Sequence, residues 1–265
     1  MTSPPPLALA AVYRRSVAVS LARVWENVFD WEHLAHLHDG SFAACELIER
    51  GAWGWRVALT PQPARDAQII EMRADRAAGR YVSTTIEGRG AGTEIRVALA
   101  PREPHVTDVN VEFHVPEHRA DRLAALGKAY SAAYARLWDE DEAMMRARER
   151  MLARRRATGT TAPVALGAEA AVRASLPLLF DFAGQPFRLV DLGGALIAHA
   201  TICPHWLGPL DAAPVVDGAV RCPWHGYRFD VASGTCAAHP ELRLTPAPTI
   251  RIDAGRVVAE RPAEC

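Results

Sequence analysis

The 265-residue chain has little of what marks several common protein classes. Five cysteines in this length do not make a disulfide framework. Charge of neither sign prevails: Lys and Arg total 30, Asp and Glu 31, for a net charge of −1. No global field therefore draws the chain to nucleic acid or to an anionic membrane surface. No stretch approaches the roughly 18 apolar residues that span a bilayer. Internal repeats and low-complexity tracts are also missing. The start, MTSPPPLALAAVYRR, holds a short apolar stretch with no basic residue before it and is rich in proline. It reads as a loose leader rather than an export signal, so the expected location is the reducing cytoplasm. What is present is ordinary for a soluble globular protein, 49% hydrophobic and 23% charged residues. The length suffices for two domains, each with a core of its own.

The pattern changes once along the chain. Val12–Val19 alternates as a strand does, Leu21–His38 has helical character, and turn residues then punctuate a series of strands. These fall near Ala43–Glu49, Trp53–Leu59, Ala67–Met72, Tyr81–Glu87, Thr93–Ala98 and Val106–Val115. From Glu117 a helical pattern runs without proline to Arg156. Ala157-Thr-Gly-Thr-Thr-Ala-Pro163 is the expected linker. Short strands and glycine turns follow: Phe187–Asp191, Ala195–Ala198, Ala219–Cys222, Ile250–Ile252 and Val257–Val258. The expected class is α+β, with a strand–helix–sheet–long-helix domain over 1–156, a linker over 157–163 and a small all-β domain over 164–265. The run Arg146, Arg148, Arg150, Arg154, Arg155, Arg156 closes the long helix. It suits the negative end of the helix dipole, or alternatively an acidic electron carrier.

The second half contains Cys203-x-His205, then Cys222-x-x-His225. Both loops hold proline and glycine, as Cys-Pro-His-Trp-Leu-Gly208 and Cys-Pro-Trp-His-Gly226. Two thiolates can hold one iron of a pair while two neutral imidazoles hold the other. A Cys₂His₂ zinc site is the competing assignment, but it usually groups like ligands together. Here each loop supplies one cysteine and one histidine. The spacing, with Tyr-Arg-Phe-Asp-Val-Ala-Ser-Gly234 after it, resembles the Rieske [2Fe–2S] family, in its oxygenase and ferredoxin branch. Respiratory members carry a further cysteine in each loop, joined as a disulfide; the matching positions here are Gly208 and Trp224. The hydroxyl residue after the glycine is replaced by Tyr227. Fewer hydrogen bonds to sulfur imply a low-potential centre. Cys45, Cys236 and Cys265 show no partner pattern.

The first half contains Glu26-Asn-Val-Phe-Asp30-Trp-Glu-His33-Leu-Ala-His36-Leu-His38. This resembles the E-N-x-x-D-x-x-H-x₄-H segment of Rieske oxygenases, particularly the monooxygenase and O-demethylase branch. The resemblance implies a mononuclear non-haem Fe(II) held by His33 and His38, with Asp30 linking the iron site to a neighbouring cluster. Residues five apart on a regular helix differ by about 140° in direction, so the helix must bulge or end between them. Gly40 makes an ending plausible, and on geometry alone His36 remains a rival ligand. A facial triad also needs a carboxylate. The apolar stripe of the long helix runs Leu123, Leu126, Tyr130, Tyr134, Leu137, then reaches Asp141 before Met144 and Met145. A carboxylate on a core-facing stripe is costly unless paired or metal-bound. Asp139 and Glu142 point elsewhere on the same wheel.

The order of elements in the first half also looks like the helix-grip (START/Bet v 1-like) fold, many of whose members hold apolar ligands without metal. Trp53, Trp55, Ile69 and Tyr81 lie on its sheet, as pocket lining or as core. In Rieske oxygenases the cluster domain precedes the catalytic one, whereas here the order is inverted. The resemblance implies an oxygenase that takes O₂ and electrons from a ferredoxin or flavin reductase, hydroxylates or demethylates a small organic substrate, and assembles as a homotrimer. Neither nucleic acid nor a membrane is expected as partner. The competing reading is a Rieske electron carrier or redox sensor fused to an apolar-ligand-binding domain.

Overall fold

The computed structural model describes residues 6–153 and 159–261. Residues 1–5 of the leader, 157 and 158 of the expected linker, Arg154, Arg155, Arg156 and Cys265 lie outside the described residues. The chain divides into two compact units at Glu149/Arg150. Among the described residues no helix is long and apolar enough to cross a membrane.

In the first unit β1 (Ala8–Val17) leads into α1 (Leu21–Phe29). Six strands follow: β2 (Phe42–Gly51), β3 (Gly54–Pro61), β4 (Gln68–Asp75), β5 (Arg80–Glu87), β6 (Glu94–Glu103) and β7 (Val106–Val115). The long α2 (Ala120–Ala153) closes the unit. The strands form one antiparallel sheet in the order β1-β7-β6-β5-β4-β3-β2. β7 alternates strictly between buried and half-buried positions, which places Val109, Val111 and Phe113 on the core face. Opposite them in register stand Leu99, Val97 and Ile95 of β6. The apolar stripe of α2 packs on this face, Tyr130 stacking on Phe113 at 5.3 Å and Tyr134 meeting the same ring edge-on at 5.0 Å. Trp138 and Gly127 also belong to the buried stripe. A Cβ at Gly127 would come within 2.3 Å of the Ala10 carbonyl oxygen, so α2 lies directly against β1 there. This is a helix-grip fold.

The continuous helix expected over Leu21–His38 is broken. Asp30 takes an extended conformation (φ −87°, ψ 97°), ending α1 at Phe29, and its Oδ1 accepts a hydrogen bond from the Glu32 amide at 3.1 Å. A 3-10 turn, Glu32–Ala35, then carries His33. His38 lies in the turn beyond it, where the Ser41 and Phe42 amides donate to its carbonyl. Competition by a short polar side chain for the backbone is what ends the helix here. The start of α2 at Ala120 instead of Glu117 is a boundary shift of the same small kind as those at β1, β4 and β6.

The second unit comprises β8 (Val164–Ala168), the short α3 (Glu169–Ala174), β9 (Leu178–Phe182), β10 (Gln185–Leu192), β11 (Ala195–Ala200), β12 (Val215–Val216), β13 (Ala219–Arg221), β14 (Arg228–Asp230), β15 (Thr249–Asp253) and β16 (Arg256–Glu260). They form three small antiparallel sheets, β11-β10-β9, β12-β13-β14 and β15-β16-β8. Val172, Leu189, Ala198 and Val257 make a core between elements of different sheets. Apart from α3 the unit is all β; β8, β9, β12 and α3 are too short or too weakly patterned to stand out in the sequence.

Candidate metal centres

In the second unit two tight loops face one another. The first follows β11 and is closed by Cys203 N–H to Gly208 O (2.8 Å) and Leu207 N–H to Cys203 O (3.0 Å). The second follows β13 and is closed by Cys222 N–H to Tyr227 O (2.8 Å) and Gly226 N–H to Cys222 O (2.9 Å). Leu207 and Gly226 both adopt positive φ (64° and 71°), the local cost of so tight a pair of turns. Cys203 and Cys222 are buried and hydrogen-bonded to each other through sulfur. The backbone amides of His205 and Trp206 reach the first sulfur, and those of Trp224 and His225 the second. Cys203 donates to Cys222, which holds the Cys222 thiol below its usual value despite burial and pushes that of Cys203 up. The rings of His205 and His225 lie 4.6 Å apart, and Tyr227 packs 4.7 Å from His205. Two sulfurs side by side and two imidazoles side by side form the donor set that a two-iron cluster with unlike irons requires. A Cβ at Gly208 would come within 2.8 Å of Cys222 Sγ and 3.1 Å of the Trp224 ring, so this position has no room for a side chain.

In the first unit His33, His38 and Asp141 converge, each offering a ligand atom within 4.8 Å of the others. All three are buried. His33 Nε2 lies 3.4 Å and His38 Nε2 3.1 Å from the same oxygen, Asp141 Oδ1. Ligand atoms about 2.1 Å from one ion and at right angles to each other sit about 3.0 Å apart, close to these separations. The far side of each ring meets another carboxylate. His38 Nδ1 is 2.6 Å from Glu140 Oε2, and His33 Nδ1 is 3.2 Å from Asp30 Oδ2, though out of line for a hydrogen bond. Asn27 Nδ2 donates to Asp141 Oδ1 at 3.0 Å and fixes the third group. The tautomer that turns Nδ1–H toward these carboxylates leaves both Nε2 atoms as acceptors, beside a third acceptor on Asp141. Three lone pairs aimed at one point are stable around a proton or a metal cation. Burial pushes the His33 imidazole down, but Asp141 and Asp30 outweigh it and raise it to about 10. Burial pushes the Asp141 carboxyl up, and the two imidazoles more than reverse this, holding it well below the usual carboxylate range.

His36, the rival on spacing alone, is outside this group. Asp139 and Glu142 also stand apart: both pair with Arg15, at 2.9 and 2.5 Å, and tie α2 to β1. Of the basic run, Arg148 binds Glu26 at 2.9 Å. The trio opens into a cavity of about 300 Å³ between sheet and α2. Its walls include Trp55, Ile70, Met72, Tyr81, Tyr134 and Trp138. Trp55 and Tyr81 are thus pocket residues; Trp53 lies under the Arg73 guanidinium at 4.8 Å instead, and Ile69 is not among the lining residues.

Residues 162–249 match the family of the Rieske [2Fe-2S] domain. The second unit carries a Rieske domain. This family implies a two-iron, two-sulfur cluster. The oxygenase component of dicamba O-demethylase from Stenotrophomonas maltophilia is 40% identical over 47 residues, 18% of this chain and 14% of that protein. The match therefore spans a small fraction of that relative's length. The ferredoxin of carbazole 1,9a-dioxygenase from Nocardioides aromaticivorans is 24% identical, with 38% of this chain and 98% of that one covered and a TM-score of 0.32. A START superfamily protein from Mycobacterium smegmatis is 18% identical, covering 50% of this chain and 99% of that one, with a TM-score of 0.36.

The Rieske loops could be read from residue types at fixed spacing. Glu140 could not: nothing distinguishes it within Asp-Glu-Asp-Glu142 until α2 is seen turning it toward His38. Free Cys45 and Cys236 are not among the converging donor groups, and burial, helped by the charge of Asp30, pushes the Cys45 thiol up to about 12.

Proposed function

We propose that the chain is a Rieske-type non-haem iron oxygenase that hydroxylates or demethylates a small, apolar organic substrate. The observation that carries this reading is the buried His33–His38–Asp141 trio at the wall of an apolar cavity, in a chain that also has a Rieske domain. The residues fit the implied groups. Cys203, His205, Cys222 and His225 are the set that would hold the cluster. His33, His38 and Asp141 would hold Fe(II) as two imidazoles and one carboxylate on one face, the set used by oxygen-activating iron enzymes. When bound, this iron supplies O₂ activation, with electrons delivered through the cluster from a ferredoxin or flavin reductase. Hydroxylation consumes one O₂, two electrons and two protons, placing one oxygen atom in the substrate and the other in water.

The chain's own residues supply orientation and exclusion of water. Glu140 holds the His38 ring from behind through Nδ1, Asp30 lies 3.2 Å behind His33 as its charge partner, and both Nε2 atoms face the same oxygen of Asp141. Asn27 holds Asp141 in register with them. Trp55, Met72, Tyr134 and Trp138 give the cavity a dry wall against which a substrate packs close to the trio. Asp30 also suits the linking role between iron site and cluster, within one chain or between neighbours in a homotrimer.

Iron per chain on anaerobically purified protein, together with the EPR spectrum of the dithionite-reduced sample, tests this reading. About three irons with a Rieske signal are expected. His33→Ala or Asp141→Ala should then remove only the third. Two irons, with no uptake of added Fe(II), would leave a Rieske carrier fused to an apolar-ligand-binding domain.

A further inference from the structure

The two ends of the cavity differ in charge. Asp141 and Tyr130 of α2 both line it, and about 16 Å of helix separates them at 1.5 Å per residue. On the opposite wall Tyr81, Ser83 and Thr85 of β5 alternate onto the cavity face, and β5 leads into the turn that carries Arg89. Tyr81 lies at the trio's end, where burial, then the nearby Tyr134 and Asp141, push its hydroxyl well up. Gly90 lies at the other end: a Cβ there would stand 4.0 Å from Tyr130 Oη. Helix and strand thus agree that the trio lies at one end and the exposed turn carrying Arg89 at the other.

Arg89 is the one Arg or Lys among the cavity's lining residues. Its backbone is well held. Gln68 Nε2 donates to the Arg89 carbonyl, and the turn is closed by Ala91 N–H to Gly88 O at 3.1 Å. Gly88 and Gly90 flank it at φ +90° and +84°, conformations that a side chain would strain. Among the described residues no carboxylate is paired with its guanidinium. At the opposite end Asp30, Glu140 and Asp141 together carry more negative charge than a divalent ion would balance, so an anion finds no net attraction there. Aromatic rings of Trp55, Tyr81, Tyr134 and Trp138 line the space between.

We infer that the cavity takes a flat, apolar organic acid whose carboxylate is held by Arg89 and whose far end is presented to His33, His38 and Asp141. That the far end is the reacting one rests on the oxygenase reading; the acid site does not. Arg89 would set which end of the molecule enters first.

The test uses 2-naphthoate and 2-naphthamide, which share their rings and differ in charge, titrated calorimetrically into the full chain with iron counted in the same preparation. The acid should bind at least about fivefold tighter than the amide, as suits a charge-assisted contact open to solvent. Arg89→Gln should abolish that preference and leave amide binding unchanged, while Arg89→Lys should retain part of it. Equal binding of the two probes, or equal weakening of both by Arg89→Gln, would each overturn the acid site. Two irons per chain with the preference intact would sink the oxygenase reading and leave the acid site standing.

Discussion

Glu140 and Asp141 are neighbours in sequence, yet they contact opposite sides of the same imidazole. Asp141 faces His38 Nε2, while Glu140, half-exposed at the edge of α2, meets Nδ1. A carboxylate behind a ligating histidine fixes the ring's tautomer and raises its basicity, and losing such a partner typically costs 10–100-fold in metal affinity. Glu140→Gln keeps the size and removes the charge. It is expected to weaken Co(II) or Fe(II) binding at the trio about tenfold or more, measured by metal titration, with the Rieske EPR signal unchanged. Unaltered affinity would show that Glu140 is only a surface group that happens to reach the ring. At this scale the sequence was legible where chemistry ties residue types to a spacing, as for Cys203, His205, Cys222 and His225. It was legible too where a polar group interrupts an apolar stripe, as Asp141 does. Glu140 carried neither signal.

Among the elements, β7 shows why some boundaries are readable. Its alternation continues unbroken from Val106 to Val115, so pattern and hydrogen bonding end together. The segment after Leu21 shows the opposite. Its apolar spacing is helical throughout, and only the side chain of Asp30, bonded to the Glu32 amide, ends α1 early. That break answers the geometric objection to His33 and His38: they sit on a 3-10 turn and the turn after it, where a 140° offset no longer applies. Gly127 was a further signal left unread, since a glycine inside a helix often marks close backbone approach. Gly127→Ala would drive a methyl group into the Ala10 carbonyl, with the Ala11 side chain also at 3.0 Å. Overpacking of this kind costs about 1–3 kcal/mol, and the strand β1 would have to move to relieve it. The expected outcome is a lower midpoint for the first unit in chemical denaturation followed by tryptophan fluorescence. A gain in stability, as the better helix propensity of alanine alone would give, would mean that α2 does not press on β1.

At the scale of the whole molecule, two units with separate cores must serve a single electron path if the oxygenase reading holds. The sequence marks the two units by one change of pattern after α2. The surroundings of the Rieske loops bear on the cluster's potential. Gly208 and Trp224 occupy the positions where respiratory relatives carry a disulfide, and they are packed so closely that no side chain fits at Gly208. Tyr227 stands where a smaller hydroxyl residue would bond to sulfur, and its ring lies against His205 and, on its other contact, 4.7 Å from His239. Backbone amides then provide the bonds to the cysteine sulfurs. A cluster held here is expected near the lower end of the Rieske range, about −150 mV. A potential in that region is what the proposed oxygenase role requires of the cluster. EPR-monitored redox titration of the full chain gives the value directly. A midpoint of about +100 mV or above would instead match the high-potential members of that range, and would remove the driving force that an oxygenase needs from its cluster.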